Sequence, residues 1–212
     1  MDNKAMRTVL GPRFDAVCTD GASALKELGL AENAAILDVG TGKGYFAIYL
    51  ASLGYQVLTG EPATDTSHYA GRDWALNAKK LGVLDNIRFE AFDANELPFA
   101  PETFDAVFFF GVLHHIDEGV RSEVFREALR VSKKDGVVVF FEPRKAMLDQ
   151  IWMDDPGHPL AANPSNYVSG QGTREHRIEG SFMDLFIYRK GAPGQATLPE
   201  IERVAGTAHM PR

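Results

Sequence analysis

The chain has 212 residues, 22 basic against 29 acidic, a net charge of −7 and a single cysteine. That length suits one domain and is enough to bury an ordinary core without covalent staples. The lone Cys18 excludes an internal disulfide and a four-cysteine zinc site. With 45% apolar and 24% charged residues, the composition is that of a globular protein and not of a disordered one. The longest apolar runs, such as Ala106 to Leu113, are far too short to span a membrane, and residues 1–20 lack the apolar stretch of a secretory leader. A cytoplasmic location with no membrane span is therefore expected. The acid excess speaks against nucleic acid as a partner and favours a small-molecule substrate. Nothing in the sequence sets the oligomeric state, and a dimer stays open.

In chain order, residues 1–30 read as an N-terminal helical cap, helical over Asp20–Leu28 and stopped by Gly29. Ala35–Val39 is a short apolar run ending in glycines, the pattern of a buried strand. Tyr45–Leu53 reads as a helix capped by Gly54, and Gln56–Thr59 as a second strand. Asp73–Leu81 is a second helix, stopped by Gly82. Strands follow at Ile87–Phe92 and Ala106–Phe110, then a helix at Gly119–Val131 and a fifth strand at Gly136–Phe141. Lys145–Trp152 is a short helix. Residues 153–177 hold three prolines and three glycines and read as a lid. Ser181–Tyr188 is the last strand, and 191–212 a flexible tail.

Strands alternating with helices predict an α/β fold: a Rossmann-like, doubly wound, mostly parallel sheet covered on both faces. Residues 1–190 then form one domain, with its core at 35–142. In such sheets ligands lie beyond the carboxyl ends of the strands, where strand order reverses. The residues to weigh are those that follow each strand.

The first of these is Asp38-Val-Gly40-Thr41-Gly42-Lys-Gly44, between the first strand and the first helix. Glycines here let the backbone turn tightly and let a ligand approach the helix N-terminus. The dinucleotide fingerprint would need its third glycine at Tyr45, and a P-loop would need a glycine at Leu37 and Ser or Thr at Gly44. Glu61 ends the second strand. Phe92-Asp93-Ala94, then Leu97-Pro98-Phe99, end the third. Phe104-Asp105 opens the fourth, which runs through Phe110-Gly111 into Leu113-His114-His115.

The pattern acid-x-G-x-G-x-G, with these strand-end residues in order, resembles the class I S-adenosylmethionine-dependent methyltransferases. The likeness covers about Ala35 to Glu142 and is nearest to the small-molecule, quinone-type branch. It implies a seven-stranded sheet with an antiparallel last strand, and S-adenosylmethionine as cofactor, with S-adenosylhomocysteine as product. It implies cofactor contacts at Asp38, Gly40, Thr41, Gly42, Gly44, Glu61, Asp93, Ala94, Phe110 and Gly111. Glu61 would take the ribose hydroxyls and Asp93 the adenine amino group.

Catalytic candidates are His115 and His114, with His115 preferred, because a histidine near the methyl group can take a proton from the acceptor. Adjacent histidines do not share one direction, so only one is expected to face the pocket. Trp152 and Tyr167 flank the lid and are taken as substrate-pocket residues. Asp154-Asp155-Pro-Gly-His158 carries oxygen and nitrogen donors but reads as a polar turn of the lid, so no metal is expected. Asp105 is read as structural. Two other function classes stay open: a cofactor-binding regulator or complex subunit without transferase activity, and an NAD-dependent oxidoreductase.

Overall fold

The computed structural model describes residues 3–67, 69–70, 73–191 and 200–202. Eight strands form one sheet: β1 Ile36–Val39, β2 Val57–Gly60, β3 Ile87–Phe89, β4 Phe104–Phe110, β5 Ser132–Pro143, β6 Thr173–Glu179, β7 Met183–Lys190 and β8 Glu200–Glu202. The helices are α1 Asn3–Leu10, α2 Phe14–Ala16, a π-turn over Val17–Gly21, α3 Ala22–Leu28, α4 Tyr45–Ser52, α5 Trp74–Lys80, α6 Arg121–Val131 and α7 Lys145–Asp154.

The strand order is β3-β2-β1-β4-β5-β7-β6-β8. β1 to β5 pair in parallel, and β7 runs antiparallel between β5 and β6. This is the expected Rossmann-like, mostly parallel seven-stranded sheet, with β8 added at its edge. The order reverses between β1 and β4, which opens a ligand crevice at their carboxyl ends.

Alternation along the strands builds two core layers. Ile36, Phe108, Val139 and Phe141 face one side, together with Phe46 of α4. Leu37, Phe109, Val138 and Phe140 face the other, with Val124 and Phe125 of α6. Phe46 to Ala51 are all buried because α4 is covered twice. Its inner side meets the sheet, with the Phe46 ring 5.0 Å from that of Phe108. Its outer side meets the N-terminal cap, where Phe14 packs edge-on against Tyr49. The cap is pinned to the far end of the sheet by the buried Asp20, whose carboxylate accepts the N–H groups of Ser181, Phe182 and Met183 at 2.7–2.8 Å.

Several expected boundaries move. β3 ends at Phe89, although the Glu90 and Phe92 N–H groups still bond to the Thr59 and Glu61 carbonyls. β5 begins at Ser132, ahead of Gly136, and a register shift separates its pairs Phe104–Ser132 and Ala106–Val137. The stretch taken as a lid, 153–177, does not lie wholly outside the sheet. Its last residues enter β6, where Arg174 to Ile178 pair with β7, since the Met183–Lys190 strand needs a partner on its outer edge. Part of the expected flexible tail is described, and Glu200–Glu202 pairs in parallel with β6; the rest of it lies outside the described residues, as do His68 and Arg72. Asp105 accepts the Ala35 N–H and the Lys133 ammonium, each at 2.8 Å, which ties strand starts together. Among the described residues no helix is long and apolar enough to cross a membrane.

Candidate functional site

The loop from β1 to α4 turns on glycines in the left-handed region. Gly40 has φ +88°, and a Cβ there would sit 2.5 Å from Cγ2 of Val112. Gly44 has φ +77°, and a Cβ there would sit 2.8 Å from Cβ of Trp74. Both close approach and conformation therefore demand glycine. The loop is held from β2: Gly40 N–H donates to the Gly60 carbonyl at 2.8 Å, and Gly42 N–H to Glu61 Oε2 at 2.8 Å.

Beneath the loop runs a buried polar chain. Thr59 donates to Asp38 Oδ2 at 2.8 Å, and its oxygen lies 2.9 Å from that of Thr41. With the Asp38 carboxylate ionised, Thr41 donates to Thr59. Asp38 is 2% exposed, and burial pushes its pKa up to about 7 against the Thr59 hydrogen bond, with the nearby Glu61 charge adding to the rise.

One cavity of about 410 Å³ opens here. Asp38, Gly40, Thr41, Gly42, Glu61, Asp93, Ala94, Phe110 and Gly111 all line it. Gly44 stands outside the lining and serves the turn into α4. The Thr41 hydroxyl is committed to Thr59, so its role is to hold the loop. Arg13 also lines the cavity, with its guanidinium 2.7 Å from Asp154 of α7. Sequence reasoning missed it, because the start of the chain carries no motif around it.

The other end of the cavity follows β4. His114 is buried, and its Nδ1 lies 2.8 Å from Glu142 Oε2, which also accepts the Ala162 N–H at 2.8 Å. His115 opens onto the cavity. His158, on the turn after α7, is buried against both, with ring centroids 5.1 Å from His114 and 4.8 Å from His115. Tyr69, in the segment after β2, hydrogen-bonds Asp155 and sits 3.0 Å from His158 Nδ1. Tyr69 and Asp155 thus strap that turn across the cavity mouth. Burial, reinforced by His114 and His158, holds the pKa of His115 down at about 3. Burial and then His114 lower that of His158. The Tyr69 phenol is pushed up to about 12, by burial first and then by Asp155. Ile116, Met147, Ile151 and Met183 supply an apolar wall.

Two expected substrate residues stand elsewhere. The Trp152 indole donates to the His158 carbonyl at 2.8 Å, and the Tyr167 hydroxyl accepts from Arg121 at 2.8 Å. Neither lines the cavity. Both are polar-tipped rings whose tips are consumed in tying residues 158–167 to α7 and α6. The residue that comes inward instead is His158. Its proximity to His114 and His115 spans more than forty positions and leaves no local signal in the sequence.

Comparison with known proteins now bears on this geometry. A family model described as a methyltransferase domain matches residues 37–140. The 27-O-demethylrifamycin SV methyltransferase of Amycolatopsis mediterranei is 35% identical over 101 residues, 48% of this chain and 35% of its own length. YcgJ of Bacillus subtilis, named an uncharacterized methyltransferase, is 31% identical over 174 residues, 74% of this chain and 66% of its own. This chain thus spans between about a third and two thirds of those relatives. Among solved structures, PH0226 of Pyrococcus horikoshii superposes with a TM-score of 0.67 at 18% identity, covering 83% of this chain and 90% of that one, which shows the shared fold.

The donor set fits the cofactor of such a domain. Asp38, Glu61 and Asp93 stand at successive strand ends along one wall, where carboxylates can receive hydroxyl and amino donors and attract a sulfonium. Arg13 complements a carboxylate at the mouth. Through residues 37–140, the chain belongs to the class I S-adenosylmethionine-dependent methyltransferases.

Proposed function

We propose that the chain transfers a methyl group from S-adenosylmethionine to a small organic acceptor. The observation that carries this reading is the continuity of the cavity, from the acid-lined loop at the ends of β1 to β3 to the histidines after β4. The cofactor supplies an activated methyl on a positive sulfonium, so the protein's task is mainly proximity and orientation.

Asp38 and the glycine loop hold the amino-acid end, with Gly40 and Gly42 letting it approach the backbone. Glu61 holds the Gly42 N–H, and its carboxylate is of the kind that accepts ribose hydroxyls. Asp93 takes the adenine amino group, and Ala94, Phe110 and Gly111 line the flanks. Arg13 pairs with the carboxylate end.

His115 faces the acceptor. It stays neutral at physiological pH, so one ring nitrogen keeps a lone pair. Its ring can accept a hydrogen bond from an O–H or N–H and so aim the acceptor's lone pair. With so low a pKa it is a weak base, so orientation outweighs proton removal. His114, buried on Glu142, positions its neighbour. The apolar wall of Ile116, Met147, Ile151 and Met183 suits an acceptor with a hydrophobic body. Two similar proteins have names drawn from small organic compounds, one a 27-O-demethylrifamycin SV methyltransferase and one a C-methyltransferase of ubiquinone/menaquinone biosynthesis, which points the same way.

The test is methyl transfer across a panel of hydroxylated and aromatic small molecules, read as S-adenosylhomocysteine formed. On any accepted substrate, His115→Ala is expected to lower kcat by less than the ~10²–10⁴ of a full general base, without abolishing cofactor binding. Cofactor binding with no acceptor methylated anywhere on the panel would favour the regulator reading instead. NADH binding tighter than S-adenosylhomocysteine would favour the oxidoreductase.

A further inference from the structure

We infer that His114, His115 and His158 form a binding site for a divalent transition-metal ion of the zinc class at the acceptor end of the cavity. One ring nitrogen from each lies within 4.8 Å of the others. Two of the three rings are already oriented as metal-ligating histidines are, with Nδ1 turned to a carboxylate or its relay. Nδ1 of His114 is fixed on the buried Glu142, which is itself held by the Ala162 N–H. Nδ1 of His158 meets the Tyr69 hydroxyl at 3.0 Å and Asp155 at 3.6 Å.

The remaining nitrogen of His158, Nε2, is buried and finds no hydrogen-bond partner among the described residues. Its side chain is 3% exposed. An orphaned donor or acceptor at that depth is costly, and an ion would satisfy it. Three neutral imidazoles are the ligand set of many zinc sites, and imidazole also suits copper, iron and nickel.

Zn–N bonds of about 2.0–2.1 Å in a tetrahedron place the nitrogens about 3.3–3.4 Å apart, so the cluster must contract by roughly 1.4 Å. The three rings already pack together, with the His115 centroid 4.3 Å from that of His114 and 4.8 Å from that of His158, so the contraction is a matter of side-chain rotation and a small shift of the turn that carries His158. An ion would therefore staple that turn to the end of β4. Because all three rings line the cavity, the fourth position faces it and is open to water or to an acceptor heteroatom.

The test uses the full chain, stripped of metal with a chelator and titrated with Co²⁺ alone, without cofactor or acceptor. Its outcome is thus independent of methyl transfer. The expected result is one Co²⁺ per chain with the intense visible bands of a tetrahedral ion, displaced by Zn²⁺. His158→Ala should weaken binding at least tenfold. His115→Ala should do the same, and since that ring projects into the cavity, its loss leaves the fold intact even if His158→Ala proves unstable. Zn²⁺ should raise the unfolding temperature of the wild type and not of His115→Ala. Absence of tetrahedral bands, or Co²⁺ affinity unchanged in His115→Ala, would overturn the assignment.

Discussion

The two ends of the cavity are built differently. The end that follows β1 to β3 is made of residues close in sequence to their strands, and backbone does much of the holding. Gly42 N–H reaches Glu61, Gly40 N–H reaches the Gly60 carbonyl, and Asp38 lies under the turn. The end that follows β4 is made of side chains drawn from distant segments. His114 and His115 come from the turn after β4, Glu142 from β5, Tyr69 from the loop after β2, and Asp155 and His158 from the turn after α7. A shared cofactor constrains the first end to local patterns. The second is joined mainly by hydrogen bonds between segments far apart in sequence.

The most damaging change should fall at the second end. Glu142 is buried, and it alone holds both the His114 Nδ1 and the Ala162 N–H. Glu142→Ala leaves both buried donors without this acceptor, and we expect a loss of about 3–5 kcal/mol, each unsatisfied buried donor costing about 1–3 kcal/mol. For a chain of this size, that lowers Tm by roughly 6–20 °C, which calorimetric melting would read. A change under about 1 kcal/mol would mean that the acceptor end is not organised around this carboxylate.

At the cofactor end the corresponding break is Gly40→Ala. The new Cβ meets Val112 at 2.5 Å, and φ +88° is strained for alanine, so about 2–3 kcal/mol should be lost together with cofactor affinity. Melting and ligand titration of the same variant separate the two effects. Intact affinity in a folded Gly40→Ala would show that the loop does not approach the ligand.

A smaller effect concerns pH and distinguishes the ends by sign. Asp38 has its folded pKa raised above the ordinary carboxylate value, to about 7. Its contribution to stability is therefore fully present at low pH and is lost as pH rises between about 4 and 7, because the unfolded chain ionises first. A cationic ligand favours the ionised carboxylate, so cofactor affinity should rise with pH through about 7. The Asp38→Asn variant should lose this dependence. His115, held near 3, should contribute no step between pH 5 and 9. Affinity that falls with pH across this range would place the positive charge of the ligand away from Asp38.

What could be read in the sequence follows the same division. The strands β1, β2 and β4, the helix α4 and the glycine loop announce themselves because each is a contiguous run with its own punctuation. Glu61 and Asp93 were legible because the fold places strand-end acids in one crevice. Arg13 was not, since its place depends on how the N-terminal cap folds back over α4. Trp152 and Tyr167 do not line the cavity, since flanking a stretch in sequence says nothing about which way a ring points. Their hydrogen bonds to the His158 carbonyl and Arg121 turn them to structural use. Residues 174–177 fall in the stretch read as a lid, yet they form a strand through pairing with β7, a contact that local composition does not encode.

The central claim is that the acids at the ends of β1 to β3 hold S-adenosylmethionine, and calorimetric titration of S-adenosylhomocysteine into the wild type and into Glu61→Ala tests it most directly. The account predicts one site per chain in the wild type, and in a folded Glu61→Ala a loss of about 1–3 kcal/mol, roughly 5- to 150-fold in affinity. Equal affinity in the two proteins, or no binding to the wild type, would contradict it.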